Sequence, residues 1–223
     1  MNGEPSLLLN KVHYPVHSLG YGKRVGIWLQ GCSIHCRGCL NRDTWAFDES
    51  LRVTIKELLD RMDGWLAEAD GVSISGGEPF DQPESLGALL HHLAERTAGD
   101  LLVFSGYSWE HLREKHPSLL DTIDVLVTDP YQSESGQTLT LRGSDNQRIW
   151  LLSDKAKERY PASINEELWD ESDRKMDILV EGDSIWMAGI PRPQDLEKLE
   201  RLLAARGYGV TFSGSGVSLD CRR

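Results

Sequence analysis

Val25-Gly26-Ile27-Trp28-Leu29 runs through Gln30 into Gly31-Cys32-Ser33-Ile34-His35-Cys36-Arg37-Gly38-Cys39. A short apolar, β-favouring run closed by glycine has the length and make-up of a buried strand, so the three thiols are expected at a strand's C-terminal end. Open α/β sheets collect their ligands at that edge. The spacing is C-x3-C-x2-C. Thiolate sulfur is the soft ligand of iron–sulfur clusters, and a compact loop can fold around a cube and reach three of its corners. One iron then lacks a protein ligand, and an open coordination position is what lets a substrate bind a metal directly.

Two other readings of the triplet stay open. Positions i, i+4 and i+7 would also line one face of a helix as buried structural cysteines, although Gly31 and Gly38 disfavour a stable helix. With His35 or Cys221 the triplet could make a tetrahedral zinc site, although one cluster of cysteines lacks the paired spacing of structural zinc modules.

Outward from this strand, Val72 to Ile74, Leu101 to Phe104 and Ile123 to Val127 repeat the apolar pattern. Helical patterns separate them. Thr54 and Glu57 form a capping-box signature, after which Ile55, Leu58, Leu59, Met62 and Leu66 share one face. Asp81 is expected to cap a second helix with the stripe Leu86, Leu89, Leu90 and Leu93, and Ser108 a third that ends before Pro117. The alternation predicts an α/β fold with a parallel sheet, in the form of an incomplete (β/α) barrel. Beyond about residue 137 the pattern changes. Thr138 to Leu141 and Ile149 to Leu152 read as strands, the charged stretch from Lys155 to Arg174 as partly helical, and Asp177 to Val180 with Ser184 to Ala188 as a hairpin. A helix bearing Leu196, Leu199, Leu202 and Leu203 and a strand near Val210 to Phe212 follow. The expected organisation is a core over 12–150 and a C-terminal α+β extension over 151–223. The extension either completes the sheet, which is the preferred reading, or docks a substrate.

Composition narrows the function. With 39% hydrophobic and 26% charged residues in 223, the chain can bury a core. A formal net charge of −11 repels phosphate backbones and anionic bilayers, so neither nucleic acid nor membrane is an expected partner. No apolar run approaches the ~20 residues of a bilayer span. The N-terminus lacks the basic start and apolar run of a secretory signal, which gives a cytoplasmic expectation with reduced thiols. Three of the four cysteines crowd into one loop, which suits a metal better than a disulfide framework.

The second strand runs into Ser75-Gly76-Gly77-Glu78-Pro79. Two glycines allow a ligand to lie against the main chain, and Glu78 can accept bonds from an ammonium group. Read by itself, the segment is equally a glycine turn leading into a helix that opens with Pro83 and Glu84.

Together these residues resemble the radical S-adenosylmethionine superfamily, in which such a cysteine loop holds a 4Fe-4S cluster and a Gly-Gly-Glu-Pro turn binds the methionine amino group. Ser18-Leu19-Gly20-Tyr21-Gly22-Lys23-Arg24, Trp28-Leu29-Gln30-Gly31-Cys32 and Cys36-Arg37-Gly38-Cys39-Leu40-Asn41-Arg42-Asp43-Thr44-Trp45 are similar to the opening of anaerobic ribonucleotide reductase activating proteins. Phe104-Ser105-Gly106-Tyr107-Ser108, Ile123 to Val127 and Arg142-Gly143-Ser144-Asp145-Asn146-Gln147-Arg148 continue the likeness, which spans roughly residues 12–150.

The resemblance implies Cys32, Cys36 and Cys39 as cluster ligands and Gly76, Gly77 and Glu78 at the methionine end of S-adenosylmethionine. Ser105, Asp129 and Asn146 fall near strand ends and become nucleoside contacts, with Asp129 equally a turn former before Pro130. The reaction it implies is reductive cleavage to a 5′-deoxyadenosyl radical, which removes hydrogen from a glycine of a large glycyl-radical enzyme. An external one-electron reductant such as flavodoxin or ferredoxin is implied as well. Arg24 is read as a partner or cofactor contact or a solvated charge. Thr128-Asp129-Pro130-Tyr131 departs from the family, many of whose members have a lysine after the aspartate. Cys221 reads as a spare thiol. Two further functions are consistent with the same motifs: a radical enzyme acting on another protein, peptide or small molecule, and a metal-binding module without turnover.

Overall fold

The computed structural model describes residues 4–170, 175–181, 184–191 and 193–207. A seven-stranded sheet organises the chain: β1 (Ser6–Val16), β2 (Arg24–Leu29), β3 (Arg52–Thr54), β4 (Gly71–Gly76), β5 (Asp100–Phe104), β6 (Val125–Thr128) and β7 (Arg148–Leu151), in the order β3-β1-β2-β4-β5-β6-β7. β2, β4, β5 and β6 are mutually parallel, in register from Arg24↔Gly71 to Leu29↔Gly76 and on through Val72↔Leu101 and Leu102↔Val125. The three remaining pairings, β3 on β1, β1 on β2 and β7 on β6, are antiparallel. The architecture is therefore α/β with a mostly parallel centre, and it brings the ends of β2, β4, β5 and β6 to one edge.

Alternation along the parallel strands sends side chains to two faces. Val25, Ile27, Leu29, Val72, Ile74, Leu101, Val103 and Leu126 pack under α1 (Ile55–Glu68), α2 (Pro83–Arg96), α3 (Trp109–Lys115) and α4 (Pro117–Leu120) in the main core. The predicted stripes on α1 and α2 are the buried residues of those helices. Thr54 caps α1 with both arms of the capping box formed, and Ser108 caps α3 by accepting from His111 N.

On the opposite face, Leu102, Val125 and Val127 meet Ala156 of α5 (Asp154–Arg159), Tyr160 and Ile164. Trp28 and Phe104 there meet the hairpin of β8 (Met176–Glu181) and β9 (Ser184–Gly189), whose Ala188 is buried against Val16 and Leu19. Trp186 lies edge-on to Trp28 at 4.8 Å. Asp177 ties the hairpin down, accepting from His17 N (2.9 Å), Ser18 N (3.1 Å) and Ser18 Oγ (2.7 Å). The final helix α6 (Pro193–Ala204) carries the predicted leucines.

Several expectations are corrected. The hairpin does not complete the large sheet: β8 and β9 form a two-stranded sheet of their own, laid on a face rather than added to an edge. β1, an 11-residue strand, was not expected. Thr138 to Leu141 is not a strand, contributing only the isolated bridge Leu139↔Leu168. Helix in the charged stretch is confined, among the described residues, to α5. The strand expected near Val210 to Phe212 and Cys221 lie outside the described residues.

Arg24 is the largest correction. It is neither a surface charge nor placed for a cofactor, because it opens β2 at the edge opposite the cysteine loop and is completely buried. Its Nη1 and Nη2 each reach the Asp100 carboxylate at 2.9 Å, Nε donates to Ser73 Oγ at 2.6 Å, and Nη2 donates to Val72 O at 2.8 Å. Tyr160 adds its hydroxyl to Asp100 Oδ2 at 3.0 Å, and Arg159 Nη1 stands 3.2 Å from Oδ1. A buried guanidinium needs this density of acceptors to offset its lost hydration.

Candidate cluster and cofactor site

Gln30 fastens the start of the cysteine loop. Its buried side chain donates from Nε2 to Asp43 O (3.1 Å) and Ala46 O (2.7 Å), so the chain returning from the loop is sewn to the strand that enters it. Main-chain bonds from Gly31 N to Thr44 O (2.7 Å) and Cys32 N to Trp45 O (3.0 Å) extend the seam. Between them the loop projects from the sheet edge with Cys32, Cys36 and Cys39 all half-buried and free. Cys39 N donates to Cys36 O at 3.1 Å, a turn that is not continued into a helix, so the reading of three structural helix cysteines falls away. His35 is stacked on Trp45 at 4.5 Å.

The Gly-Gly-Glu turn is built against this loop. Gly77 N donates to Leu29 O (2.8 Å) and Glu78 N to Gly31 O (2.9 Å), which locks the exits of β4 and β2 together. The glycines answer to that contact. Gly76 has φ +109, and a side chain on Gly76 or Gly77 would collide with the main chain at Leu29 or Gly31 respectively. Their close approach is to the cysteine strand itself, a role that could not be separated from ligand approach by sequence.

Glu78 is 1% exposed. Oε1 accepts from Ser105 Oγ (2.8 Å) and Phe80 N (3.0 Å), and Oε2 from Gly106 N (2.7 Å). Burial pushes its carboxyl up to about 7 despite these donors, with Asp81 adding to the rise. A raised carboxyl binds its proton more tightly in the folded state, so Glu78's contribution to stability is full below its unfolded pKa and is lost as pH rises through about 7. The apoprotein is expected to lose thermal stability from about pH 5 to about pH 8, with a flatter profile in Glu78→Gln; an unchanged slope in that variant contradicts the assignment.

Ser105 is thus brought onto Glu78, while Asp129 and Asn146 sit together in the β6–β7 connection. Asp129 has φ +82, and its carboxylate is taken by Arg148 Nε (2.7 Å) and Nη2 (3.1 Å) and by Thr128 Oγ1 (2.9 Å). Asn146 donates from Nδ2 to Pro130 O at 2.9 Å, but its Oδ1 is buried with no donor from the protein. Tyr131 and Ser133 of the same connection pack on Gly38, which brings this segment beside the cysteines.

Four residues with no part in the sequence-based site complete it: Gln30, Ser33, Asp81 and Tyr107. Asp81, expected to cap α2, instead accepts from Ser33 N (2.6 Å), Ser33 Oγ (3.0 Å) and Tyr107 Oη (2.8 Å); Gln82 occupies the cap position but makes no side-chain bond to the helix. Gln30, Ser33 and Tyr107 lie within or next to quoted motifs, and that adjacency was the signal that could have found them.

The donor set fits an iron–sulfur cube. Burial raises the thiols of Cys32 and Cys36, with Glu78 and Asp81 adding to the rise at Cys32, so a metal must displace protons to bind here. Among the described residues no three His, Cys, Asp or Glu side chains are gathered tightly enough for a single metal ion. A cube presents its corners over a wider triangle than one ion does. The orphaned Asn146 Oδ1 supplies an acceptor for a ligand donor in the same region.

An α/β sheet that carries a three-cysteine loop at the end of one parallel strand and a glycine-glutamate turn at the next defines the class: an iron–sulfur protein with one cluster. A family model described as 4Fe-4S single cluster domain matches residues 18–150. The anaerobic ribonucleoside-triphosphate reductase-activating protein of Vibrio cholerae serotype O1 is 33% identical over 148 residues, covering 61% of this chain and 94% of that protein. Its counterpart from Salmonella typhimurium is 32% identical over 149 residues, 63% of this chain and 96% of that protein. The solved structure of QueE from Escherichia coli aligns with a TM-score of 0.40 and 21% identity over 45% of this chain and 53% of that one, too loose a match to carry an argument. The chain belongs to the 4Fe-4S single cluster domain family, among the anaerobic ribonucleoside-triphosphate reductase-activating proteins.

Proposed function

We propose that this chain is an activating enzyme that cleaves S-adenosylmethionine reductively and installs a radical on a glycine of a partner enzyme, an anaerobic ribonucleotide reductase. The observation that carries the reading is the union of the two motifs at one sheet edge, Glu78 N on Gly31 O at 2.9 Å, in a chain whose family match covers 18–150. A 4Fe-4S cluster and S-adenosylmethionine are the cofactors, and a flavodoxin or ferredoxin is the electron source. When bound, the cluster supplies the electron and an iron open to the methionine end of its substrate.

The chain's own part is to hold and exclude. Cys32, Cys36 and Cys39 hold the cluster, while Gln30 and the seam to Thr44 and Trp45 keep their loop closed. Gly76, Gly77 and Glu78 hold the methionine end. Glu78 accepts three bonds of the roughly four a carboxylate can take, which leaves one for an ammonium group. Ser105 keeps that carboxylate oriented. Asn146 offers its free oxygen to the nucleoside, and Asp129 shapes the same connection through Arg148. On this reading 12–150 is the core of an incomplete barrel and 151–223 its extension, supported, for the described hairpin, by the contact of Trp186 with Trp28.

The test is electron paramagnetic resonance of a ribonucleotide reductase of the glycyl-radical type after anaerobic incubation with this protein, S-adenosylmethionine and a reductant. The expected result is a glycine-centred doublet that requires all three components. Formation of 5′-deoxyadenosine with no doublet on the partner would move the chain to another substrate.

A further inference from the structure

We propose that Asp81 is a positioning residue that sets the shape of the cysteine loop by gripping Ser33, with Tyr107 as its brace. The inference rests on the reading of Cys32, Cys36 and Cys39 as cluster ligands. Ser33 follows the first cysteine directly and is exposed, yet its main-chain N–H is held at 2.6 Å by a carboxylate oxygen 48 residues away in sequence. The other oxygen takes the Ser33 hydroxyl at 3.0 Å and the Tyr107 hydroxyl at 2.8 Å, and the two hydroxyls lie 3.0 Å apart. Charge-assisted bonds of this kind are the short, strong ones.

The anchor is itself rigid. Asp81 ends the 3-10 turn Pro79–Asp81, whose start is fixed by Glu78 accepting from Phe80, Ser105 and Gly106, and Asp81 N donates to Glu78 O at 3.1 Å. Tyr107 is fixed in turn by stacking on His111 at 4.6 Å. One carboxylate therefore joins the exits of β2, β4 and β5. A carboxylate just ahead of a helix ordinarily serves the helix N-terminus. Here α2 begins without a side-chain cap, and the charge faces the cysteine loop instead. A group in that place orients the ligands from behind and adds one negative charge beside the cluster, two of the means by which proteins tune metal centres.

Two substitutions separate geometry from charge. Asp81→Ala removes both. Asp81→Asn keeps the bonds, since its oxygen can accept from Ser33 N while its amide donates to the two hydroxyls, and removes only the charge. Protein reconstituted anaerobically with iron and sulfide is challenged with a chelator, and the midpoint potential is read by spectroelectrochemistry. Asp81→Ala is expected to release iron, per folded chain, about tenfold faster or more than the wild type. Asp81→Asn is expected to restore retention and to show a less negative midpoint potential, which a merely structural bond would not shift. Release from Asp81→Ala at the wild-type rate overturns the proposal. If Asp81→Ala does not fold, an Asp81→Asn protein with the wild-type potential overturns it. A wild-type protein that takes up no iron overturns both this inference and the cluster reading, whereas a wild type that binds the cluster beside indifferent variants overturns the role of Asp81 alone.

Discussion

Replacing Cys36 with alanine abolishes cluster assembly and S-adenosylmethionine cleavage together, while Cys221→Ala leaves both at wild-type levels. The expected loss is complete because a site with three protein ligands has no spare. With two thiols left, two irons lack a protein ligand and the cube has no third point to fix its orientation. Cys36 is the middle ligand, its carbonyl accepts from Cys39 N, and the Tyr131 main chain lies against its sulfur, so its place in the loop is fixed from both sides. His35 is no replacement, because its ring is stacked on Trp45. Iron and sulfide content with anaerobic product analysis reads the result. Retention of a cluster in Cys36→Ala, or its loss in Cys221→Ala, would redraw the ligand set.

Asp100→Ala is expected to be the most damaging single change to the fold outside the cysteine loop, costing about 3–5 kcal/mol. The alanine leaves the Arg24 guanidinium buried with Ser73 Oγ and backbone carbonyls but no counter-charge, and it also strips Tyr160 of its acceptor. The penalty comes from an uncompensated buried charge rather than from the worth of the pair, so Arg24→Met combined with Asp100→Leu should recover much of the loss. Urea unfolding of the apoprotein measures it as a lowered midpoint at unchanged slope. A loss below about 1 kcal/mol would mean that water reaches the guanidinium once Asp100 is gone. The network lies at the far end of the parallel strands from the cysteines, so cluster content per folded chain should be unaffected.

What was legible in the sequence was local. The strand before Cys32, the capping box at Thr54 and Glu57, and the leucine stripes of α1 and α2 are patterns read over a few neighbouring residues, and each forms as its pattern predicts. The features that were missed depend on distant partners. Arg24 looks like a surface charge until Asp100, 76 residues on, closes over it. Asp81 has the sequence of a helix cap and spends its carboxylate on Ser33 instead. β1 carries Asn10, Lys11, His13 and Pro15 among its apolar residues, which blurs the period-two signal, and it is defined by pairing with β2 and β3 rather than by its own composition. The hairpin was visible as two strands, but sequence could not tell an added edge from a layer on a face.

That layer lies outside the stretch matched by the family model. The family match ends at residue 150, and the Vibrio cholerae relative is 94% covered by an alignment that takes up 61% of this chain. The hairpin therefore belongs to the part beyond the shared core. Its contact with Trp28 and Phe104 lies on the face not occupied by α1 and α2, next to the strand ends that carry the site.

Iron and acid-labile sulfide, counted after oxygen-free reconstitution of the full chain, reach the root of the account. It predicts about four of each per chain, in a brown protein whose reduced spectrum changes when S-adenosylmethionine is added. A chain that stays colourless and iron-free under those conditions, or a cluster whose spectrum is indifferent to the sulfonium compound, would contradict it.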